Sequence, residues 1–146
     1  MFYLMSIHER YAELILSGRK QVEIRRNSVH MLPGDYVAIY ATKPIAKIIG
    51  YFIVDRVVNQ ECEKIWKLFE DKACIQREQY FYYTKGKSII SAIIIRKSIR
   101  RQGMCLSEMD LWIPQSYSRI KAEQFLKICK LGNLPEDWEM VGGHHD

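Results

Sequence analysis

The sequence predicts an α+β fold, and three segments carry that prediction. Residues 88–98 hold apolar side chains at both parities: Ile89, Ile90, Ala92, Ile93, Ile94 and Ile95. That is the pattern of a strand buried on both faces, with one face inward and one under a helix. Residues 45–58 read as one long strand interrupted at Gly50, where a bulge or sharp bend is expected. Residues 9–17 place Arg10, Tyr11, Leu14 and Ile15 at helical spacing, and Gly18 ends that helix.

The remaining elements follow in order. Residues 2–7 are short and apolar, a first strand. After the helix comes a strand at 20–26, with Val22 and Ile24 on one face and Gln21, Glu23 and Arg25 on the other. Lys20, Glu23, Arg25 and Arg26 fall within seven residues. A strand wall normally keeps one clean apolar face, so this charge density stands out. Its simplest account is a solvated edge strand with an internal ion pair. A polar loop at 27–32 leads to a tight turn at Leu32-Pro33-Gly34-Asp35, then a strand at 35–41. Lys43-Pro44 makes a second turn before the strand at 46–57.

Asn59-Gln60-Glu61 reads as the start of a helix over 60–70, with Ile65, Trp66, Leu68 and Phe69 as its apolar stripe. Another helix runs from 75 to 83 and stops near Lys85-Gly86. Its four consecutive aromatics, Tyr80 to Tyr83, cannot share one face, so at least two belong to the core. After the strand at 88–98, the basic run Arg96 to Arg101 is expected to exit toward Gly103. Pro114 to Tyr117 reads as a turn, and residues 121–131 as a final helix with Phe125, Leu126 and Ile128 inward. No repeat or linker divides the chain. The expectation is one domain over 1–146, with a core at 1–120 and a frayed tail at 140–146.

Composition narrows the function classes. The chain has 146 residues, 48% apolar and 27% charged, which is ordinary for a soluble globular domain. A formal charge of +5 permits a polyanionic partner without proving one. Cys62, Cys74, Cys105 and Cys129 form no C-x-x-C pair and have no histidine at metal-ligand spacing. Reduced, mostly buried thiols are expected, with no metal and no cofactor. The first residues lack the basic-then-apolar pattern of a signal peptide, and no run approaches ~18 apolar residues. A cytoplasmic protein with no membrane partner is expected.

The ordered set of a helix, then "GRKQVEIRR", "LPGDYVAIYAT" and "KPIAKIIGYFIVDRVV", resembles the ASCH family of the PUA-like superfamily, small domains linked to RNA. The resemblance covers residues 5–58 well. It continues more loosely through "EQYFYYTKGKSIISAIII" and "WIPQSYSRI" to about residue 120. It implies a mixed, partly open β-barrel of five or six strands with helices at the rim. It also implies a polar cleft lined by Lys20, Glu23 and Arg25. If strands 20–26 and 35–41 pair as neighbours, Tyr40 and Thr42 lie beside them. Strict alternation places Lys20 and Glu23 on opposite faces, so a bulge or the reach of the lysine stem is needed to join them.

Three function classes follow. In the first, the cleft binds single-stranded RNA or a nucleotide. Arg25, Arg26, Lys43 and Lys47 are candidates for phosphate contacts, and Tyr40, Tyr51 and Tyr117 for base stacking. In the second, the cleft is a hydrolase. Some family members are similar to amidohydrolases acting on acetylated cytidine, with a lysine, a threonine nucleophile and a glutamate. The lysine matches Lys20, but the threonine falls at Glu23, which has no hydroxyl, and the glutamate has only Glu70 or Asp71 as candidates. An acyl-enzyme is therefore not expected, and Glu23 beside Lys20 remains a candidate general base toward water. Relatives also suggest a metal-independent ribonuclease, for which Tyr40, Lys47 and Ser116 are the candidates. In the third class, the domain is a protein-interaction module with a vestigial cleft.

Overall fold

The computed structural model describes residues 1–130. The tail expected at 140–146 lies outside the described residues. In chain order the elements are β1 (Phe2–Ile7), α1 (Glu9–Leu16), β2 (Val22–Arg25), β3 (Tyr36–Ala41) and β4 (Lys47–Glu61). They continue with α2 (Cys62–Phe69), α3 (Arg77–Tyr83), β5 (Ile89–Met104), β6 (Tyr117–Ile120) and α4 (Ala122–Lys130). A short 3-10 turn, Leu106–Met109, lies between β5 and β6.

The six strands form one mixed sheet in the order β2-β5-β4-β3-β1-β6, and the sheet is not closed. β1 and β3 are parallel, with Phe2 opposite Tyr36 and Ile7 opposite Ala41. The other pairings are antiparallel. The fold is α+β, as the sequence predicts.

Three expectations about the strands are corrected. First, β2 does not pair with β3. It pairs with β5, with Val22 opposite Ile94 and Ile24 opposite Ala92. These apolar cross-strand pairs satisfy the second edge of β5, while β3 is already flanked by β1 and β4. Second, β4 and β5 run further than expected. Asn59, Gln60 and Glu61 pair with Ser91, Ile90 and Ile89 at the end of β4 instead of opening a helix. The basic run stays in the ladder too: Lys97 faces Ile53 and Arg100 faces Gly50. Third, Tyr117 begins a sixth strand instead of closing a turn, with Tyr117 opposite Met5 on β1.

Gly50 does mark an irregularity. The β4–β5 register shifts between Ile48 and Gly50. A Cβ at Gly50 would stand 2.5 Å from the Ile99 carbonyl oxygen and 2.7 Å from Leu16 Cδ2. Close backbone approach, with α1 packed above it, excludes any side chain here.

The helices cover the sheet in three places. Ala12 and Ile15 of α1 pack with Met5, Ile7, Ile39, Phe52, Val54 and Ile93. On the opposite face of the same strands, Phe125 and Ile128 of α4 pack with Leu4, Tyr36, Tyr40, Ile48 and Tyr51. Ile65 and Phe69 of α2 and Tyr80 of α3 cover Val22, Ile24, Ile90 and Ala92. The two parities of β5 therefore enter two different clusters, which accounts for its apolar run. Of the four cysteines only Cys129 is buried; Cys62 and Cys74 are half-buried and Cys105 is exposed. That departs from the expected burial because the latter three sit at helix starts or in a connection. Among the described residues, no helix is long and apolar enough to cross a membrane.

Candidate functional site

The open sheet leaves a seam between β2, at one edge, and the β1–β6 side. Arg25, the last residue of β2, spans it. Its Nη1 donates to the Ser6 carbonyl on β1 at 3.2 Å and to Glu23 Oε2 at 3.1 Å. Its Nη2 donates to Ser116 Oγ at 2.7 Å, in the loop entering β6. The planar guanidinium fork suits this three-way contact in a way an ammonium would not.

Lys20 reaches the same carboxylate from the other side. The β2 ladder begins at Val22, so Lys20 lies before the strand and is not bound by its alternation. Gly18 takes a left-handed backbone (φ 83°) after α1, and the Lys20 amide then donates to the Leu14 carbonyl at 3.0 Å. The side chain turns inward. Lys20 Nζ donates to the Ala73 carbonyl, lies 3.7 Å from Glu23 Oε1 and sits 5.0 Å from the centroid of the Tyr11 ring. Cys74, next to that carbonyl, holds a left-handed backbone (φ 52°), uncommon for a residue with a side chain. Lys20 and Glu23 meet because the strand starts late, with no bulge required.

Both charges are nearly sealed from water, at 3% and 8% side-chain exposure. Burial pushes the Lys20 ammonium below its ordinary pKa of 10.5; attraction to Glu23 works against this without cancelling it. The carboxylate of Glu23 thus lies between an ammonium and a guanidinium, with Tyr11 covering the ammonium.

A cavity of about 330 Å³ opens onto this triad. Its walls include His8 and Tyr11 at the start of α1, and Gln79, Tyr82 and Tyr83 of α3. The volume is at the small end of ligand-holding clefts. Tyr80 anchors α3 in the core, its ring tilted against Trp66 at 4.8 Å and its hydroxyl donating to the Cys62 carbonyl at 2.6 Å. Helical spacing then turns Tyr82 outward, 80% exposed, with Tyr83 partly exposed beside it. The sequence indicated that the aromatics at 80–83 divide between core and surface. It gave no sign that α3 faces Lys20, because that depends on β2 pairing with β5.

The other residues expected at the site are dispersed. Arg26 Nη2 donates to the Lys85 carbonyl at 2.8 Å, and its amide donates to Tyr83 Oη at 3.2 Å, so it borders the cavity wall. Tyr117 is half-buried, 5.8 Å from Tyr3. Tyr40 is buried with the α4 cluster and lines a separate cleft beneath residues 106–113. The Thr42 amide donates to the Ile7 carbonyl at 3.1 Å, beyond the end of β3. Lys43 and Lys47 are exposed, and the Lys47 stem lies against Gly103. Tyr51 is fully buried, so it offers no face to a base. Glu70 lines an outer cleft with Arg10 and Arg19, and Asp71 is exposed; neither lines the seam cavity. Among the described residues, no three His, Cys, Asp or Glu side chains gather as a metal site would require.

Comparison with known proteins places the chain in a family. The ASCH domain model matches residues 5–141. A Zymomonas mobilis protein named "ASCH domain-containing ribonuclease" is 25% identical over 138 residues, covering 91% of this chain and 93% of the relative. The crystal structure of ASCH from Zymomonas mobilis superposes with a TM-score of 0.85 at 24% identity, covering 91% of this chain and 96% of the other. Rpa0253 from Rhodopseudomonas palustris shares the fold more distantly, with a TM-score of 0.54 at 14% identity over 92% of this chain and 94% of the other. The match to the family model spans nearly the whole sequence, and the chain belongs to the ASCH domain family.

Proposed function

We propose that this ASCH domain binds single-stranded RNA and takes one nucleotide into the seam cavity. The observation that carries this reading is the pairing of a buried Lys20–Glu23 ion pair and the half-buried Arg25 with an aromatic wall of Tyr11, Tyr82 and Tyr83 at one small cavity. A duplex buries its base faces, whereas an unpaired base can leave the strand and stack on Tyr82. The polar floor then meets the ribose or the base edge. Exposed cations such as Lys43 and Lys47 contact phosphates and set position without reading sequence.

The test is the affinity of a short labelled oligonucleotide, single-stranded and duplex, at several salt concentrations. Single strands bind more tightly. Lys43→Ala and Lys47→Ala each reduce the salt slope by about 0.7, whereas Lys20→Ala does not, because its ammonium is already engaged. Equal affinity for both forms, or an affinity indifferent to salt, contradicts the reading.

A second reading is favoured by the ribonuclease-named relative together with the lowered pKa of Lys20. The candidates expected from the sequence for this chemistry are Tyr40, Lys47 and Ser116; Lys20, with its Nζ 5.0 Å from the centroid of the Tyr11 ring, is a second lysine beside a tyrosine, at the seam cavity. In this reading Lys20 must first leave the Ala73 carbonyl and lose a proton, and its amine then takes the proton of a ribose 2′-hydroxyl. The 2′-oxygen would attack phosphorus, and the 5′-oxygen would leave with a proton from water. The products would be a 2′,3′-cyclic phosphate and a 5′-hydroxyl end. Cleavage in the presence of a chelator, abolished by Lys20→Ala, supports it; binding without cleavage leaves the first reading alone.

A further inference from the structure

We propose a second base-stacking position for single-stranded RNA at Trp112, joined to the seam by the loop that carries Ser116. The proposal rests on the reading that the chain binds single-stranded RNA. Trp112 is 86% exposed and its neighbour Ile113 is 60% exposed. Indole rings are rarely left so bare, since their burial dominates core and interface energetics. Trp112 stands on the rim of two clefts. One, of about 860 Å³, also holds Arg119 and Lys121 and, among the described residues, no carboxylate. The other runs back to Ala46 and Tyr40 and has the Asp110 carboxylate in its wall, so the cationic flank of Trp112 is the Arg119 and Lys121 side.

Charge and continuity select the occupant. An aromatic platform flanked by cations fits a base with its phosphate. The chain from Trp112 to Ser116 is four residues, at most about 14 Å. Ser116 is bound by Arg25 at the seam, and the Pro114 carbonyl accepts from Ser6 Oγ at 2.7 Å, so the loop is fastened to β1. An oligonucleotide a few residues long can occupy the seam and Trp112 together, and a mononucleotide cannot. Length-dependent affinity follows from geometry.

The experiment titrates a uridine hexamer and uridine monophosphate into wild type, Trp112→Ala, Trp112→Tyr and Tyr82→Ala. Because the indole makes little of the core, Trp112→Ala is expected to fold, and circular dichroism checks this. The expected result is a hexamer affinity at least tenfold weaker in Trp112→Ala and within about threefold of wild type in Trp112→Tyr. A hexamer affinity within twofold of wild type in Trp112→Ala overturns the proposal. Self-association that Trp112→Ala abolishes, with hexamer affinity unchanged, assigns the surface to a second copy and also overturns it. The two readings separate through Tyr82. Hexamer binding that ignores Tyr82 but needs Trp112 fails the seam and keeps this position; the reverse keeps the seam and fails this one. A wild type that binds no hexamer overturns both.

Discussion

Arg25 Nη2 donates a 2.7 Å hydrogen bond to Ser116 Oγ, joining two residues 91 apart in the sequence across the open seam of the sheet. The same guanidinium holds Glu23, so it is both a strut between distant segments and part of the cavity floor. Arg25→Ala therefore removes a seam contact and half the charge compensation of a buried carboxylate. Urea denaturation should give a loss of about 3 kcal/mol, as for other buried pairs stripped of one partner. Arg25→Lys should recover only part of it, since one ammonium cannot reach three acceptors in a plane.

Gly50→Ala should destabilise by about 1–3 kcal/mol, the usual range for overpacking. The new methyl group would meet the Ile99 carbonyl, which belongs to the β4–β5 ladder and has little room to yield. Thermal unfolding of this variant checks it, and an unchanged midpoint would mean that the ladder relaxes at the bulge.

Much of this fold was legible in the sequence. Phe2–Ile7, the helix ending at Gly18 and the irregularity at Gly50 are local signals, the first carried by an apolar run and the other two by spacing and one glycine each. The neighbour of β2 was not legible, because Val22 and Ile24 would pair as readily with β3 as with β5. That choice decides the site. It leaves Tyr40 in a separate cleft and brings α3, with Tyr82 and Tyr83, to face Lys20. The sequence singles out Lys20, Glu23, Arg25 and Ser116 by residue type but not by arrangement, which depends on the same strand pairing. The short β6 has four residues and follows Pro114, so its pattern alone could not be told from a turn.

Lys20 gives the stability a pH signature. Burial lowers its pKa in the fold, so between that lowered value and about 10.4 the unfolded chain binds more protons. Stability contributed at this position therefore rises with pH through that window. Wild type should gain on Lys20→Met as the pH climbs through that window toward 10, at no more than about 1.4 kcal/mol per pH unit. Unfolding of both proteins across that range measures it. A gap moving the other way would mean that Glu23 outweighs burial.

Tyr82→Ala should leave stability within about 0.5 kcal/mol, since the ring is mostly in solvent. It should weaken oligonucleotide binding by about 1–3 kcal/mol, the range for one stacked base. Tyr80→Ala should instead cost about 3–5 kcal/mol of stability, because that ring is core. Paired denaturation and binding measurements separate the two tyrosines.

The most direct test of the seam as an RNA site is photo-crosslinking of a short single-stranded oligonucleotide carrying one 4-thiouridine, with the attached peptides identified by mass spectrometry. The account predicts attachment at Tyr11, Tyr82 or Tyr83, lost on competition with unlabelled single strand and absent for a duplex. Attachment confined to the Tyr40 cleft, with the seam peptides unmodified, would contradict it.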